Sequence, residues 1–262
     1  MAEELLVEPR GSALWLTLNR PDRHNAINAA MTAALVETLG KGSTDAGVRA
    51  IVLTGAGERT FCSGADLKEQ SSMFASAGGS NPIGNVLRAI QACDKPVIAR
   101  LNGSALAGGL GLVAACDLAY AVDHAKFGLP EVRVGVFPMM IATRLMHQIP
   151  ERRFREMAYL GETIDASEAE RYGLVNRAVP AADLDVLIHS VLDKLMLGAP
   201  GAITAGKRAL FEMRDIAEAE KLMHAERLIA MLGDSAEARE GRAAFAEKRK
   251  PGWSLGADDD SR

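Results

Sequence analysis

Glu131 is the residue whose type and setting most suggest chemistry. It lies in Phe127-Gly128-Leu129-Pro130-Glu131-Val132-Arg133-Val134-Gly135-Val136-Phe137-Pro138, as the only acid between Asp123 and Glu151. Its neighbours are mostly apolar. Such surroundings disfavour the charged carboxylate and raise its pKa toward neutrality, which suits a general acid/base. Arg133, two residues on, offers the other reading, a surface glutamate held in an ion pair.

Two glycine-bearing segments offer complementary chemistry, each following an apolar strand. One is Phe61-Cys62-Ser63-Gly64-Ala65-Asp66-Leu67-Lys68-Glu69, and the other is Asn102-Gly103-Ser104-Ala105-Leu106-Ala107-Gly108-Gly109-Leu110-Gly111. A helix starting after such a loop directs unpaired backbone N–H groups toward it, and small residues let a ligand reach the main chain. Two such donors aimed at one point make an oxyanion hole. Spacing alone favours the other reading, in which Gly64, Gly108 and Gly109 serve tight turns and close helix packing.

Other matches fail on context. Gly201 through Gly206-Lys207 begins like a P-loop, but Arg208 stands where the magnesium-binding Ser or Thr belongs. Gly109, Gly111 and Ala114, with Glu131 downstream, imitate a dinucleotide fingerprint. The glycines read as following a long loop rather than the required tight turn. The five histidines form no H-x-x-x-H pair, and no G-x-S-x-G elbow is present.

The elements that must position these groups follow from patterning. The 262 residues hold 30 Lys and Arg against 34 Asp and Glu, a net charge of −4 that argues against a nonspecific nucleic-acid binder. Three cysteines without a C-x-x-C pair (Cys62, Cys93, Cys116) argue against a disulfide framework or a zinc site, and a reducing compartment is expected. Residues 101–116, a largely apolar uncharged run, fall short of the ~20 apolar residues of a membrane span. The acidic start lacks signal-peptide character, so a cytoplasmic protein is expected.

Residues 14–18, 50–54, 96–101 and 117–122 read as strands. Helices are expected from Asn28 to Gly40, over residues 86–92, and beyond Pro138 over 139–148, 153–160, 166–172 and 183–197. The alternation implies an α/β fold with strands buried on both faces. Residues 71–82 read as a Gly/Ser-rich loop, and Asp258-Asp259-Asp260 as a solvated tail. Residues 204–250 read as almost wholly helical. The expected division is a core over 1–195 carrying the active site and a helical region over 196–262.

In order along the chain, these segments resemble the crotonase (enoyl-CoA hydratase/isomerase) superfamily. The likeness begins at Asn19-Arg20-Pro21-Asp22-Arg23-His24-Asn25-Ala26 and runs through both glycine segments, Cys116-Asp117 and Pro130-Glu131. It continues through Ala169-Glu170-Arg171-Tyr172-Gly173-Leu174-Val175 and ends at residues 240–249. The resemblance implies a spiral of ββα units with a helical C-terminal trimerisation region, trimers often pairing into hexamers. It implies an acyl-CoA thioester substrate, no metal, and no cofactor beyond the coenzyme A moiety of the substrate. It maps the oxyanion N–H donors onto Ala65 and Gly108 and the catalytic glutamate onto Glu131. It maps CoA contacts near Arg23, Ala26, Ser63, Asp66 and Leu67, with Phe245 and Lys248 approaching the CoA of the same or a neighbouring subunit. Asp66 and Asp117 are read as structural, in local caps or loop hydrogen bonds, not as chemistry.

One departure bears on the reaction. Hydratases of the family resemble one another in two catalytic glutamates, and the first would fall at Gly111. A single acid/base suffices for moving a double bond; holding water for syn addition asks for more. The expected function is isomerisation or hydration of enoyl-CoA. The alternatives are another enolate reaction, such as decarboxylation or thioester hydrolysis, and a non-catalytic acyl-CoA-binding protein. Met139 and Met140 stand where the family has a glycine-rich stretch. They either line a flexible apolar acyl pocket or pack in the core.

Overall fold

The uncharged run Ala50–Gly55 is buried at every position, so β3 (Ala50–Gly55) forms the middle of a sheet covered on both faces. β2 (Ala13–Leu18) pairs with it in parallel, and β1 (Leu5–Arg10) runs antiparallel along the outer side of β2. β5 (Val97–Leu101), β7 (Leu118–Val122) and β10 (Arg177–Val179) extend the other side in parallel. The six-stranded order is β1-β2-β3-β5-β7-β10. The computed structural model describes residues 3–66, 68 and 80–254. Most of the expected loop over 71–82, Leu67, and the acidic tail lie outside those residues.

A second sheet has the order β4-β6-β8-β9 and consists of three-residue strands: β4 (Thr60–Cys62), β6 (Ser104–Leu106), β8 (Lys126–Gly128) and β9 (Thr163–Asp165). β4, β6 and β8 are parallel and β9 is antiparallel to β8. After the β1–β2 hairpin, the pairs β3–β4, β5–β6 and β7–β8 each lay one strand in the large sheet and the next in the small sheet before the chain turns away. This is the ββα spiral expected. The stretch expected to be loop before Gly108 contains β6, so strand and helix are separated by Ala107 alone. Gly109 faces protein: a Cβ there would sit 2.2 Å from the carbonyl oxygen of Cys62 in β4.

Three helices line the coils, each packed on the next. α1 (Ala29–Thr44) starts where Asn28 accepts the Met31 N–H at 2.9 Å, and it buries Met31, Leu35 and Leu39. It runs four residues past the expected end at Gly40. α2 (Pro82–Ala92) starts four residues before its expected start, because Asn81 accepts from the Ile83 and Gly84 N–H groups and Pro82 suits a first turn. α3 (Gly108–Ala115) is buried from Gly108 to Ala114, which explains its uniformly small and apolar sequence.

Beyond β8 come α4 (Met139–Leu145), α5 (Glu151–Leu160) and α6 (Ala166–Tyr172). The last opens with the expected Asp165/Glu168 capping box and closes at Gly173 with φ +80°. α7 (Ala181–Leu197) packs on β7 through Leu184, Ile188, Val191 and Leu192. α8 (Pro200–Glu212), α9 (Glu218–Gly233) and α10 (Ala236–Ala246) follow. α8 and α9 have no buried residue, and Leu210, Leu222, Met223, Ile229 and Met231 are exposed. Lys207 ties α8 to the core, its ammonium donating to Ile90 O (3.1 Å), Lys95 O (3.0 Å) and Asp117 Oδ2 (2.7 Å). Among the described residues no single helix is long and apolar enough to cross a membrane.

Candidate active site

β4, β6 and β8 lie side by side and point the same way, so the residues that follow them emerge together. After β4 come Ser63, Gly64 and Ala65; after β6, Ala107 and Gly108; after β8, Leu129, Pro130 and Glu131. Six of these line one cavity of about 470 Å³ together with Ile83, Arg133, Val136, Phe137, Met139, Met140 and Ile141: Ser63, Ala65, Ala107, Gly108, Pro130 and Glu131. Three sites proposed from sequence, Glu131, Ala65 and Gly108, thus meet on one wall. Size does not single this cavity out, since the groove among α8, α9 and α10 measures about 630 Å³. What distinguishes it is the chemistry it gathers.

Ala65 is held by a strap from the N-terminal loop. Ile27 bridges it in parallel: the Ile27 N–H donates to Gly64 O (2.7 Å) and the Asp66 N–H to Ile27 O (2.8 Å). Those bonds lie on one edge of the segment, so the N–H of the residue between them, Ala65, is turned to the opposite edge. The Gly108 N–H is the first of α3 and has no acceptor within its helix. Neither N–H donates to any acceptor among the described residues. They are also neighbours. A Cβ built on Gly108 would stand 3.6 Å from the Ala65 nitrogen, and one built on Gly64 would stand 3.0 Å from the Gly108 nitrogen.

The backbone is bent to achieve this. Gly64 has φ +98°. Ala107 has φ 48° and ψ −129°, a region that L side chains avoid at a cost of about 1–3 kcal/mol. Its N–H is anchored on Gly128 O at 2.9 Å. The strap depends on Asn25, fully buried, whose amide donates to Ala56 O (3.0 Å) and Thr60 O (2.8 Å) and whose oxygen accepts from the Arg20 N–H (3.0 Å). Sequence reading missed Asn25. Its signal was a buried-type role for a polar residue in a loop, which only the fold reveals.

Glu131 sits in a 3-10 turn, Pro130–Val134, closed by Gly135 at φ +80°. Burial pushes its carboxyl up to about 6, opposed by its own N–H. Oε2 is buried and has no hydrogen-bond partner among the described residues. The ion pair with Arg133 that sequence allowed is not formed. At Gly111 an added Cβ would meet Ile141 Cγ1 at 3.0 Å, so the Ile141 side chain fills the space beside that glycine. Met139 and Met140 both line the cavity; Met139 is exposed, whereas Met140 also packs against the core.

The remaining candidates are placed as follows. Arg23 is exposed on the strap, and Ala26 is buried there beside Ser63, whose N–H donates to His24 O (3.1 Å). Asp66 accepts the Lys68 N–H (3.0 Å) and pairs with Arg20 (2.8 Å), which together hold its carboxyl below its usual value. Asp117 accepts the Val97 N–H (2.7 Å) beside its bond to Lys207. Both acids thus make local hydrogen bonds and ion pairs within the fold. Leu67 lies outside the described residues. Phe245, 87% exposed, lines the C-terminal groove with Trp253, and Lys248 follows it at the end of α10. Within one chain neither reaches the Glu131 cavity. Among the described residues no three His, Cys, Asp or Glu side chains cluster as metal ligands.

Comparison with known proteins identifies the family and the fold. The family profile described as Enoyl-CoA hydratase/isomerase matches residues 8–255. The (E)-benzylidenesuccinyl-CoA hydratase of Thauera aromatica is 35% identical over 249 residues, covering 94% of this chain and 97% of its own. The 2,3-dehydroadipyl-CoA hydratase of Escherichia coli is 34% identical, with coverage of 95% and 97%. The crystal structure of an enoyl-CoA hydratase from Mycobacterium smegmatis superposes with a TM-score of 0.87 at 36% identity, covering 95% of this chain and 98% of that one.

Proposed function

The chain belongs to the enoyl-CoA hydratase/isomerase family, and from that premise we propose how this member works on its acyl-CoA thioester. The carbonyl oxygen of the thioester accepts from the N–H groups of Ala65 and Gly108. These bonds strengthen as the carbonyl becomes an enolate, and one such donor is typically worth about 3–4 kcal/mol in the transition state. Glu131, as carboxylate, removes a proton from C2 of a 3-enoyl-CoA. The electron pair moves into a dienolate, and the protonated acid returns the proton to C4, giving the 2-enoyl-CoA. Atoms balance with no redox or metal partner, so the CoA moiety is the one nucleotide group required.

The observation that carries this reading is the pair of unpartnered N–H groups in the same cavity as a carboxylate with one buried, unpartnered oxygen. The apolar filling at Gly111 and Ile141 favours isomerisation, because it leaves one acid on the wall. The hydratases among its relatives support a second reading, slower hydration of 2-enoyl-CoA with Glu131 alone handling the proton. We place the CoA against the strap at Arg23, Ala26, Ser63 and Asp66, where the exposed guanidinium of Arg23 suits a phosphate. The uncovered apolar side chains of α8 and α9 support burial against further copies of the chain, as in a trimer or hexamer.

Incubation with 3-enoyl-CoA and 2-enoyl-CoA in separate reactions tests the proposal. Isomerisation creates the conjugated thioester absorbance and hydration removes it. If neither changes, or if Glu131→Gln retains turnover, the assignment fails.

A further inference from the structure

Among the described residues, one ionisable side chain besides Glu131 lines the cavity, and none of them engages it. Among the described residues the Arg133 guanidinium makes no ion pair and no hydrogen bond. Nearby arginines are engaged: Arg20 by Asp66 and Ala26 O, Arg88 by Asn85, Arg144 by Gln91. Arg133 is nevertheless seated. Its stem lies across Gly161, the left-handed cap of α5 with φ +63°, where an added Cβ would meet Arg133 Nε at 3.0 Å and Cγ at 3.3 Å. The 3-10 turn that carries it packs on α5. The rest of the neighbouring wall, Val134, Val136, Phe137, Met139 and Met140, is hydrocarbon and sulfur.

A plain hydrocarbon tail needs no cation on the wall of its pocket. A carboxylate does, and a guanidinium fork matches its two oxygens. We infer that Arg133 is a specificity-determining residue that receives a carboxylate at the far end of the acyl group, so that the substrate class is the CoA monothioester of a dicarboxylic acid. This rests on the proposed seat of the thioester at Ala65 and Gly108, which fixes the acyl group in the same cavity.

Saturated ligands separate the inference from catalysis. Binding of adipyl-CoA and hexanoyl-CoA, equal in carbon number, is measured by calorimetry on the intact protein. The wild type is expected to bind adipyl-CoA about tenfold more tightly, the scale of one partly exposed charge-assisted contact. Arg133→Gln should bring the ratio close to one, and Arg133→Lys should keep part of it. Equal or tighter binding of hexanoyl-CoA by the wild type overturns the inference, as does a preference that survives Arg133→Gln. Turnover of 3-hexenoyl-CoA reports on the catalytic reading separately. Catalysis without carboxylate preference removes only the inference; preference without catalysis removes only the proposed reaction.

Discussion

Glu131→Gln should make the protein more stable at neutral pH while removing its activity. The folded carboxyl titrates at about 6 instead of 4.5, because burial disfavours the charge. The sign follows from proton counting. Between those two values the native state holds the proton that the unfolded state has released, so stability falls as pH rises through that window. The full shift corresponds to about 2 kcal/mol at 1.36 kcal/mol per tenfold change in proton affinity. The open cavity mouth screens part of this, leaving about 1–2 kcal/mol. Gln carries no charge and escapes the penalty. Denaturant unfolding of both proteins at pH 4 and pH 8 should show equal stability at pH 4 and a variant more stable by that amount at pH 8. The wild-type rate should rise as pH passes through about 6, since the proposed base must be ionised. A variant no more stable at pH 8, or equally shifted at both pH values, would refute burial as the cause.

Gly111→Glu should lower stability by about 1–3 kcal/mol in a denaturant titration, because the new Cβ presses on Ile141. Adding Ile141→Ala should recover part of the loss and let the double variant remove 2-enoyl absorbance where the single one does not. Ala107→Gly should raise the free energy of unfolding by up to about 1 kcal/mol, since glycine tolerates φ 48° without strain. Lys207→Met should cost about 2–4 kcal/mol: its side chain is only 11% exposed, and the change strands two carbonyls and Asp117. Thermal unfolding by circular dichroism measures both.

Long elements were legible in the sequence because local patterns define them. The uncharged run at β3, the Asn28 cap and the Asp165/Glu168 box all mark their elements without outside help. The small sheet was not legible. A three-residue strand such as Ser104–Leu106 is too short for alternation to show, and it forms because β4 and β8 offer partners on either side. The same gap hid the loop-to-strand difference before Gly108. At the site, the type of Glu131 and its apolar setting were visible, whereas the free state of the Ala65 and Gly108 N–H groups was not. That depends on the Ile27 bridge, which joins residues 38 apart. Gly111 was visible as a missing acid; that Ile141 fills its place required the packing.

Because the two amides leave adjacent parallel strands, their separation derives from the pitch of a β-ladder, about 4.8 Å, a dimension common to every polypeptide. No side-chain replacement can retune it. The acyl wall from Val134 to Ile141 obeys no such constant and consists of side chains alone. A lineage built on this scaffold can therefore exchange one acyl group for another without disturbing the grip on the thioester.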